Sequence, residues 1–352
     1  MASDRMMEYY YSMGQDCLHM GDMDEAVAYF RKAANMGARE AAYEIYVLGR
    51  QWEKGDGVDK DENKAENCYK ISVEYGIEDA GLELGKLYLR GINGNKPNPR
   101  KARRMLEHCS DDGSAEAASL LGKIYDEGIM GKVNYDKAFR YYLLAAERGD
   151  SGAMLMTGMF YASGTSTQKD LSAAEMWIRK GRDAGDPDGD MTLRGFLSVA
   201  CGEYITGAAG STDPGKAWHM AEEAETLGDK EAFLRLGLAF SHSTDKDHAA
   251  KAFECYKRAA RNEIPAAWSA LGLCYEAGIG VDEDIQEAVK LYKKAAEKGD
   301  PFGMAHYGYA LSSGEGVEKD EKAAMQWLIK AAMKGDMGAI HILKEDYNYE
   351  LR

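Results

Sequence analysis

One short pattern returns nine times along this chain: an Ala, a bulky apolar residue three positions later, and two small residues at seven and eight. Ala26, Tyr29, Phe30, Ala33, Ala34 is one copy; Ala138, Tyr141, Tyr142, Ala145, Ala146 and Ala288, Leu291, Tyr292, Ala295, Ala296 are two more. Steps of three and four residues put each set on one face of an α-helix. A helix of this kind buries its apolar face by stacking on the next copy, so the repetition dictates a solenoid. Length alone would suggest two or three globular domains. The repeats override that prior and predict a single solenoid over residues 1–352, with 336–352 as a capping helix and tail.

A second stripe alternates with the first. Ala117, Leu121-Gly122, Tyr125, Gly128 is matched position for position by Ala267, Leu271-Gly272, Tyr275, Gly278, and with substitutions by Gly303, Tyr307-Gly308, Leu311, Gly314. A mid-helix glycine costs about 1 kcal/mol against alanine, so its recurrence implies that a neighbouring helix must come close. The two stripes define two helices, A and B, per repeat. Gly76, Gly113, Gly149 and Gly185 follow one another at 37, 36 and 36 residues, and Gly335 follows Gly299 at 36. Each is expected to end a B helix in the left-handed C′ conformation. Asp150, Asp186, Asp229, Asp300 and Asp336 come directly after a glycine, placed to cap the next helix or sit at its N-terminus.

This arrangement resembles the Sel-one-like repeat (SLR) family, α-solenoid relatives of the tetratricopeptide repeats. Leu271-Gly272, Tyr275, Gly278, Gly280-Val281, Asp284, Ala288, Tyr292, Lys294-Ala295-Ala296 and Gly299 carry the match. Gly308, Gly314, Gly316-Val317, Asp320, Ala324, Trp327 and Lys330-Ala331-Ala332 repeat it. The resemblance implies an all-α fold: a right-handed α/α superhelix of about nine A–B pairs plus a C-terminal capping helix.

Three departures stand out. Gly37 to Gly55 is 18 residues, against 15 for Gly149 to Gly164, so the second A helix should carry three extra residues. Gly185 to Gly228 is 43 residues, and the seven-residue excess is assigned to the segment 201–215, with Arg194 in the glycine position of that A helix. Glu263 replaces a turn glycine, and Pro265 is expected to stop the helix instead.

Composition narrows the function. Forty-four basic against 59 acidic side chains give a net charge of −15, which excludes a general nucleic-acid binder. Lys96, Arg100, Lys101, Arg103 and Arg104 read as a solvated helix face, with an acidic-partner patch as the alternative. The opening MASDRMMEYYYSMG has no apolar core of a signal peptide, and no run of about 18 apolar residues spans a membrane. The six cysteines show no regular pairing; Cys68 and Cys255 fall at the third position of the B pattern and Cys109 at the seventh, as small hydrophobes. The reading is a cytoplasmic protein with reduced thiols.

Catalytic constellations are weak. Ser166-Thr167-Gln168-Lys169 matches SxxK without its KTG and SDN companions. His242, Asp245, Asp247 and His248 read as a polar loop in preference to a metal site, and Asp56, Asp59 and Asp61 lack calcium-loop spacing. Trp177 and Trp327 are assigned to the B-helix core. The chain is read as no enzyme, with no cofactor and no metal.

In tetratricopeptide-like folds the A helices line the concave face. Transferring that offset selects Arg50, Glu53, Lys54, Lys86, Arg90, Lys123, Asp126 and Glu127 in the early repeats. From the fifth repeat it selects Leu155, Met159, Met191, Leu234, Leu238, Leu273, Phe302 and Tyr309. The binding set is therefore the apolar group with Arg50, Lys86, Arg90 and Lys123, unless tight curvature buries the apolar members between A helices. The function expected is a non-catalytic scaffold or adaptor that holds a peptide or protein partner in the groove, with self-association open. The alternative is a secreted or injected effector, or a hydrolase-like relative.

Overall fold

The structure is a computed structural model describing residues 2–208, 210–243 and 247–349. Among the described residues there are nineteen helices and no strand. The A helices are α1 (Ala2–His19), α3 (Arg39–Lys54), α5 (Glu78–Arg90), α7 (Ala115–Asp126), α9 (Ser151–Ser163), α11 (Gly189–Thr206), α13 (Ala232–Ser241), α15 (Pro265–Ala277) and α17 (Pro301–Ser313). Their B partners are α2 (Met23–Asn35), α4 (Glu62–Glu74), α6 (Pro99–Asp111), α8 (Tyr135–Glu147), α10 (Leu171–Asp183), α12 (Pro214–Thr226), α14 (Asp247–Arg261), α16 (Ile285–Glu297) and α18 (Glu321–Met333). The unpaired α19 (Met337–Tyr347) closes the series. The chain divides into two compact units, Met1–Lys169 with Met176–Asp186, and Asp170–Glu175 with Pro187–Arg352. From α1 to α9 and from α11 to α19, each A helix packs on the B helix that follows it, and that B helix on the next A helix.

The hairpin is built on one contact. A Cβ added to Gly122 would lie 2.6 Å from the Tyr142 ring; at Gly49 it would lie 2.9 Å from Tyr69, at Gly237 2.6 Å from Tyr256, and at Gly272 2.8 Å from Tyr292. Gly14 faces Phe30 in the same way, Gly85 faces Leu106, and Gly308 faces Leu328. The mid-helix glycine is the seat of a B-helix side chain. That side chain is the residue four positions after the leading Ala. Phe30, Tyr69, Leu106, Tyr142, Ile178, Tyr256, Tyr292 and Leu328 are all buried. The third-position residues differ: Tyr29, Tyr141, Leu291, Trp177 and Trp327 are half-buried. The two tryptophans therefore flank the core instead of filling it, each with a lysine ammonium over its ring, Lys180 at 4.6 Å and Lys330 at 4.2 Å. Cys68 and Cys255 are small enough to sit at the third position beside the glycine seat, their Cβ atoms 3.0 and 3.1 Å from the atom Gly49 and Gly237 lack. All six cysteines are buried and unbridged.

The turns follow the sequence. Gly76, Gly113, Gly149, Gly185, Gly299 and Gly335 all have positive φ. Glu263 adopts the same left-handed conformation, φ 58°, without glycine's freedom. Pro265 is the first residue of α15, where its missing N–H is no loss, and does not stop α14. Asp150, Asp300 and Asp336 cap their A helices through the N–H groups of Ala153, Gly303 and Ala339. The Asp186 carboxylate, three residues ahead of α11, accepts from the Ser151 hydroxyl at 3.1 Å. Asp229 accepts from Glu231 N–H, the Ser198 hydroxyl and Arg235. The second A helix takes up its extra length as a continuous 16-residue helix.

The seven-residue excess of the sixth repeat lies elsewhere than its composition suggests. The loop from Gly207 to Asp213 has the same length as Gly128 to Asn134 and Gly278 to Asp284. Its closing bond is the same too: Asp213 N–H to the Tyr204 carbonyl at 2.8 Å, as Asn134 to Tyr125 at 2.8 Å and Asp284 to Tyr275 at 2.9 Å. Counting back, Tyr204 aligns with Tyr125, and Cys201 takes the glycine seat. The extra residues therefore precede the stripe, at the start of the 18-residue α11. Arg194 is not in the seat. The residue at the ring position of α12 is Ala221, and both Cys201 and Ala221 are fully buried; a larger seat residue is offset by a smaller partner.

Two opposite outcomes follow from one substitution. In Gly122→Ala the new methyl collides with the Tyr142 ring, and overpacking outweighs the gain in helix propensity, for a net loss of about 1–2 kcal/mol. In Gly195→Ala, in mid-α11 with nothing within 4 Å, stability rises by about 1 kcal/mol. Denaturant unfolding reads both. Glu263→Gly relieves the left-handed backbone and raises stability by about 1 kcal/mol; an unchanged or lower midpoint would contradict that strain.

Candidate functional site

In the first unit much of the predicted charged strip is paired within the protein. Arg90 of α5 places its guanidinium 2.8 Å from Glu53 at the end of α3 and 3.6 Å from Glu62. Glu53 also accepts from the buried Tyr69 hydroxyl. Burial opposes ionisation of Glu62, but the Asn93 N–H, Lys60 and Arg90 hold its carboxyl below the usual carboxylate range. Lys86 lies between Glu83 at 3.0 Å and Glu116 at 2.6 Å, and Lys123 is 3.7 Å from Glu127. The Arg50 guanidinium lies 5.9 Å from the centre of the Tyr46 ring.

The apolar candidates fall into three groups. Leu155 is 5% exposed and fills the space beside Gly181, so it is packing and not surface. Met159 is exposed on α9, and Met191 stands in the extra turn of α11, outside the stripe it was aligned to. The second unit does bring its candidates together. Leu238 of α13, Leu273 of α15 and Phe302 of α17 are each more than a third exposed, and all three line one cavity of about 320 Å³. Ala266, Ala270 and Ile279 complete its apolar walls. Leu234 is half-buried on α13, and Tyr309 is exposed on α17.

Polar groups border this cavity. The Ser269 hydroxyl donates to Asp300 at 2.6 Å, so the carboxylate on the rim is held by a side chain and by the start of α17. The Cys274 thiol on the wall is pushed up to about 11 by burial, which keeps it an inert hydrophobe at neutral pH. Behind Phe302 stands an aromatic and acidic set. The Phe302 and His306 rings stack at 4.1 Å, His306 Nδ1 is 3.4 Å from Glu276 Oε2, and the Tyr292 hydroxyl donates to Glu276. Burial lowers the pKa of His306 against the pull of Glu276. Glu276 has the same offset in its repeat as Glu53 and Asp126, so position pointed to it. His306 carried no sequence signal, because it stands one residue before Tyr307, on a face the offset does not select; Ser269 shares the offset of Leu234 but is neither charged nor apolar.

Ser166 occupies a left-handed turn, φ 62°. His242 Nδ1 meets the Leu238 carbonyl at 2.7 Å, whereas His248 Nδ1 meets Ser243 Oγ at 2.7 Å; Asp245 lies outside the described residues. Asp61 caps α4 through Asn63 and Lys64. Among the described residues no three His, Cys, Asp or Glu side chains gather as a metal site. In the basic run, Arg103 bonds Glu107 at 3.0 Å and Lys101 lies over Tyr88, while Lys96, Arg100 and Arg104 are exposed.

Residues 2–37, 45–74, 79–107, 115–150, 151–186, 231–263, 266–300 and 301–336 each match the Sel1 repeat. The chain belongs to the Sel1 repeat family. The longest stretch left unmatched, 187–230, is the hairpin whose glycine seat has become Cys201. The rat protein named DAP3-binding cell death enhancer 1 is 28% identical over 188 residues, 53% of this chain and 36% of that protein. The Saccharomyces cerevisiae chitin synthase regulator SKT5 is 28% identical over 256 residues, 68% of this chain and 35% of that protein. The chain thus spans about a third of these curated relatives. The crystal structure of c5321, a protective antigen of uropathogenic Escherichia coli with an SLR fold, superposes with a TM-score of 0.50 at 25% identity, covering 98% of this chain and 81% of that one. No helix among the described residues is long and apolar enough to cross a membrane.

The pairing of the first unit's strip has a measurable consequence. Arg90→Met removes the countercharge of Glu53 and lowers the unfolding free energy by about 1 kcal/mol, an effect that shrinks in 1 M salt. A variant as stable as the parent at low salt would show that the pair adds nothing.

Proposed function

We propose that this Sel1 repeat protein is a non-catalytic scaffold that holds an apolar segment of a protein partner in the cavity of its second unit. The observation that carries the reading is convergence: Leu238, Leu273 and Phe302 come from three successive A helices, stay exposed, and line one cavity. Solvent-facing leucine and phenylalanine side chains around a shared concavity mark a binding site more often than a stability element. The regulator and binding roles in the names of the two relatives agree with a scaffold and with no enzymatic role for the repeats. Buried, unbridged thiols suit a reducing compartment such as the cytoplasm.

The test uses dodecamer peptides carrying a single Phe or Leu anchor, with binding followed by fluorescence anisotropy. The double variant Leu238→Asp, Leu273→Asp puts two carboxylates into the cavity while leaving the glycine seats intact. Its expected result is at least about a tenfold loss of affinity with unchanged helical circular dichroism. Peptide binding that survives the double variant, or a parent protein that binds none of the peptides, would sink the groove reading.

A further inference from the structure

The repeats serve as their own controls, and one comparison between them points to a specific feature of the ligand. Three hairpins place a buried tyrosine under an acid at the end of the A helix: Tyr69 with Glu53, Tyr142 with Asp126, and Tyr292 with Glu276. In the first of these the next A helix supplies a countercharge, Arg90, 2.8 Å from Glu53. Counted from the glycine seats, the residues equivalent to Arg90 are Ser163 after Asp126 and Ser313 after Glu276. Both serines turn back on their own helix: Ser163 donates to the Phe160 carbonyl at 3.2 Å and Ser313 to the Ala310 carbonyl at 3.3 Å. Neither brings a charge to the acid.

Glu276 differs from Asp126 in what adjoins it. Its carboxylate takes the Tyr292 hydroxyl and His306 Nδ1, and no Lys or Arg among the described residues comes within 4 Å of it. His306 has its pKa lowered by burial and brings no full positive charge at neutral pH. The His306 ring is stacked on Phe302, a wall of the apolar cavity. The carboxylate is 37% exposed. An apolar cavity therefore adjoins a fixed, partly solvated anion whose internal countercharge is missing.

We propose that Glu276 is the seat for an arginine of the bound segment, the guanidinium taking the place over Glu276 that Arg90 takes over Glu53. This rests on the groove reading above and sharpens it: the partner presents an apolar anchor with an arginine within about one helical turn of it. The planar fork of arginine suits a carboxylate already held on one side by a tyrosine hydroxyl.

The same dodecamers test this when made in three series, with arginine, citrulline or glutamate one to four residues to either side of the anchor. Citrulline keeps the shape and removes the charge. With the full chain, the best arginine peptide should bind about two- to fivefold tighter than its citrulline twin. That ratio should fall to about one in Glu276→Gln, whose amide oxygen still accepts from Tyr292. It should also fall in Ser313→Arg, which installs the internal countercharge. If anchored peptides bind without regard to charge, or the arginine preference survives both variants, the arginine seat is wrong and the groove stands. If no anchored peptide binds, the groove reading fails first and the seat with it.

Discussion

The seating of a B-helix side chain against a mid-helix glycine is the contact on which the other features of this protein depend. Without a Cβ at Gly122 or Gly272, the ring of Tyr142 or Tyr292 lies directly on the A-helix backbone. That approach fixes the register of the hairpin, and the register fixes the rest. The left-handed glycine comes six residues after the seat, at Gly128 and Gly278, and the capping residue six after that, at Asn134 and Asp284. The end of the series obeys the same rule. Asp336 caps α19 as Asp300 caps α17, so the residue of α19 equivalent to Gly308 is Lys344, which is exposed. An ammonium in the seat is stable only in water.

The seat also explains where the buried charges come from. A buried tyrosine needs an acceptor for its hydroxyl, since an orphaned one costs about 1–3 kcal/mol. The hairpins seated by Tyr69, Tyr142, Tyr256 and Tyr292 have Glu53, Asp126, Ser241 and Glu276 four residues past the glycine. The hairpins seated by Phe30 and Leu106 have Leu18 and Leu89 there. The acid thus arises as a packing requirement, and whether it becomes a surface charge depends on the next A helix. Arg90 cancels it at Glu53; Ser163 and Ser313 leave it at Asp126 and Glu276.

Much of this was legible in the sequence because the repeat is spelled in small and aromatic residues at fixed spacing. Helix number, the A–B alternation and the turn glycines could all be counted out. Counting forward from Gly185 at the usual nine residues puts Arg194 in the seat that Cys201 takes, and so puts the insertion after the stripe instead of before it. Met191 inherited that error. Leu155 was misread because the offset assumes that a ligand-facing residue has no neighbour, whereas Gly181 on α10 opens a pocket that the leucine fills. The core slot at the fourth position was blurred by aromatic pairs such as Tyr141-Tyr142, where hydrophobicity cannot say which ring is inside. Cα-to-Cβ direction decides it, and only coordinates carry that.

The size of the cavity constrains how such a scaffold can work under the proposed reading. About 320 Å³ accommodates one large apolar side chain or two small ones. Burying one Leu or Phe side chain contributes about 1.5–3 kcal/mol, which alone corresponds to a dissociation constant well above the millimolar level. Affinity must then be assembled from neighbours of the cavity: Leu234 on the α13 side, Tyr309 on the α17 side, and the polar set around Glu276. Because Leu238, Leu273 and Tyr309 each directly follow the glycine seat of their own A helix, a partner gains each contact only if its own anchors are spaced to match the stacking of α13, α15 and α17. The repeat that sets the fold therefore also sets the ruler by which a ligand is measured. Specificity lies in the few offsets where one repeat differs from the next.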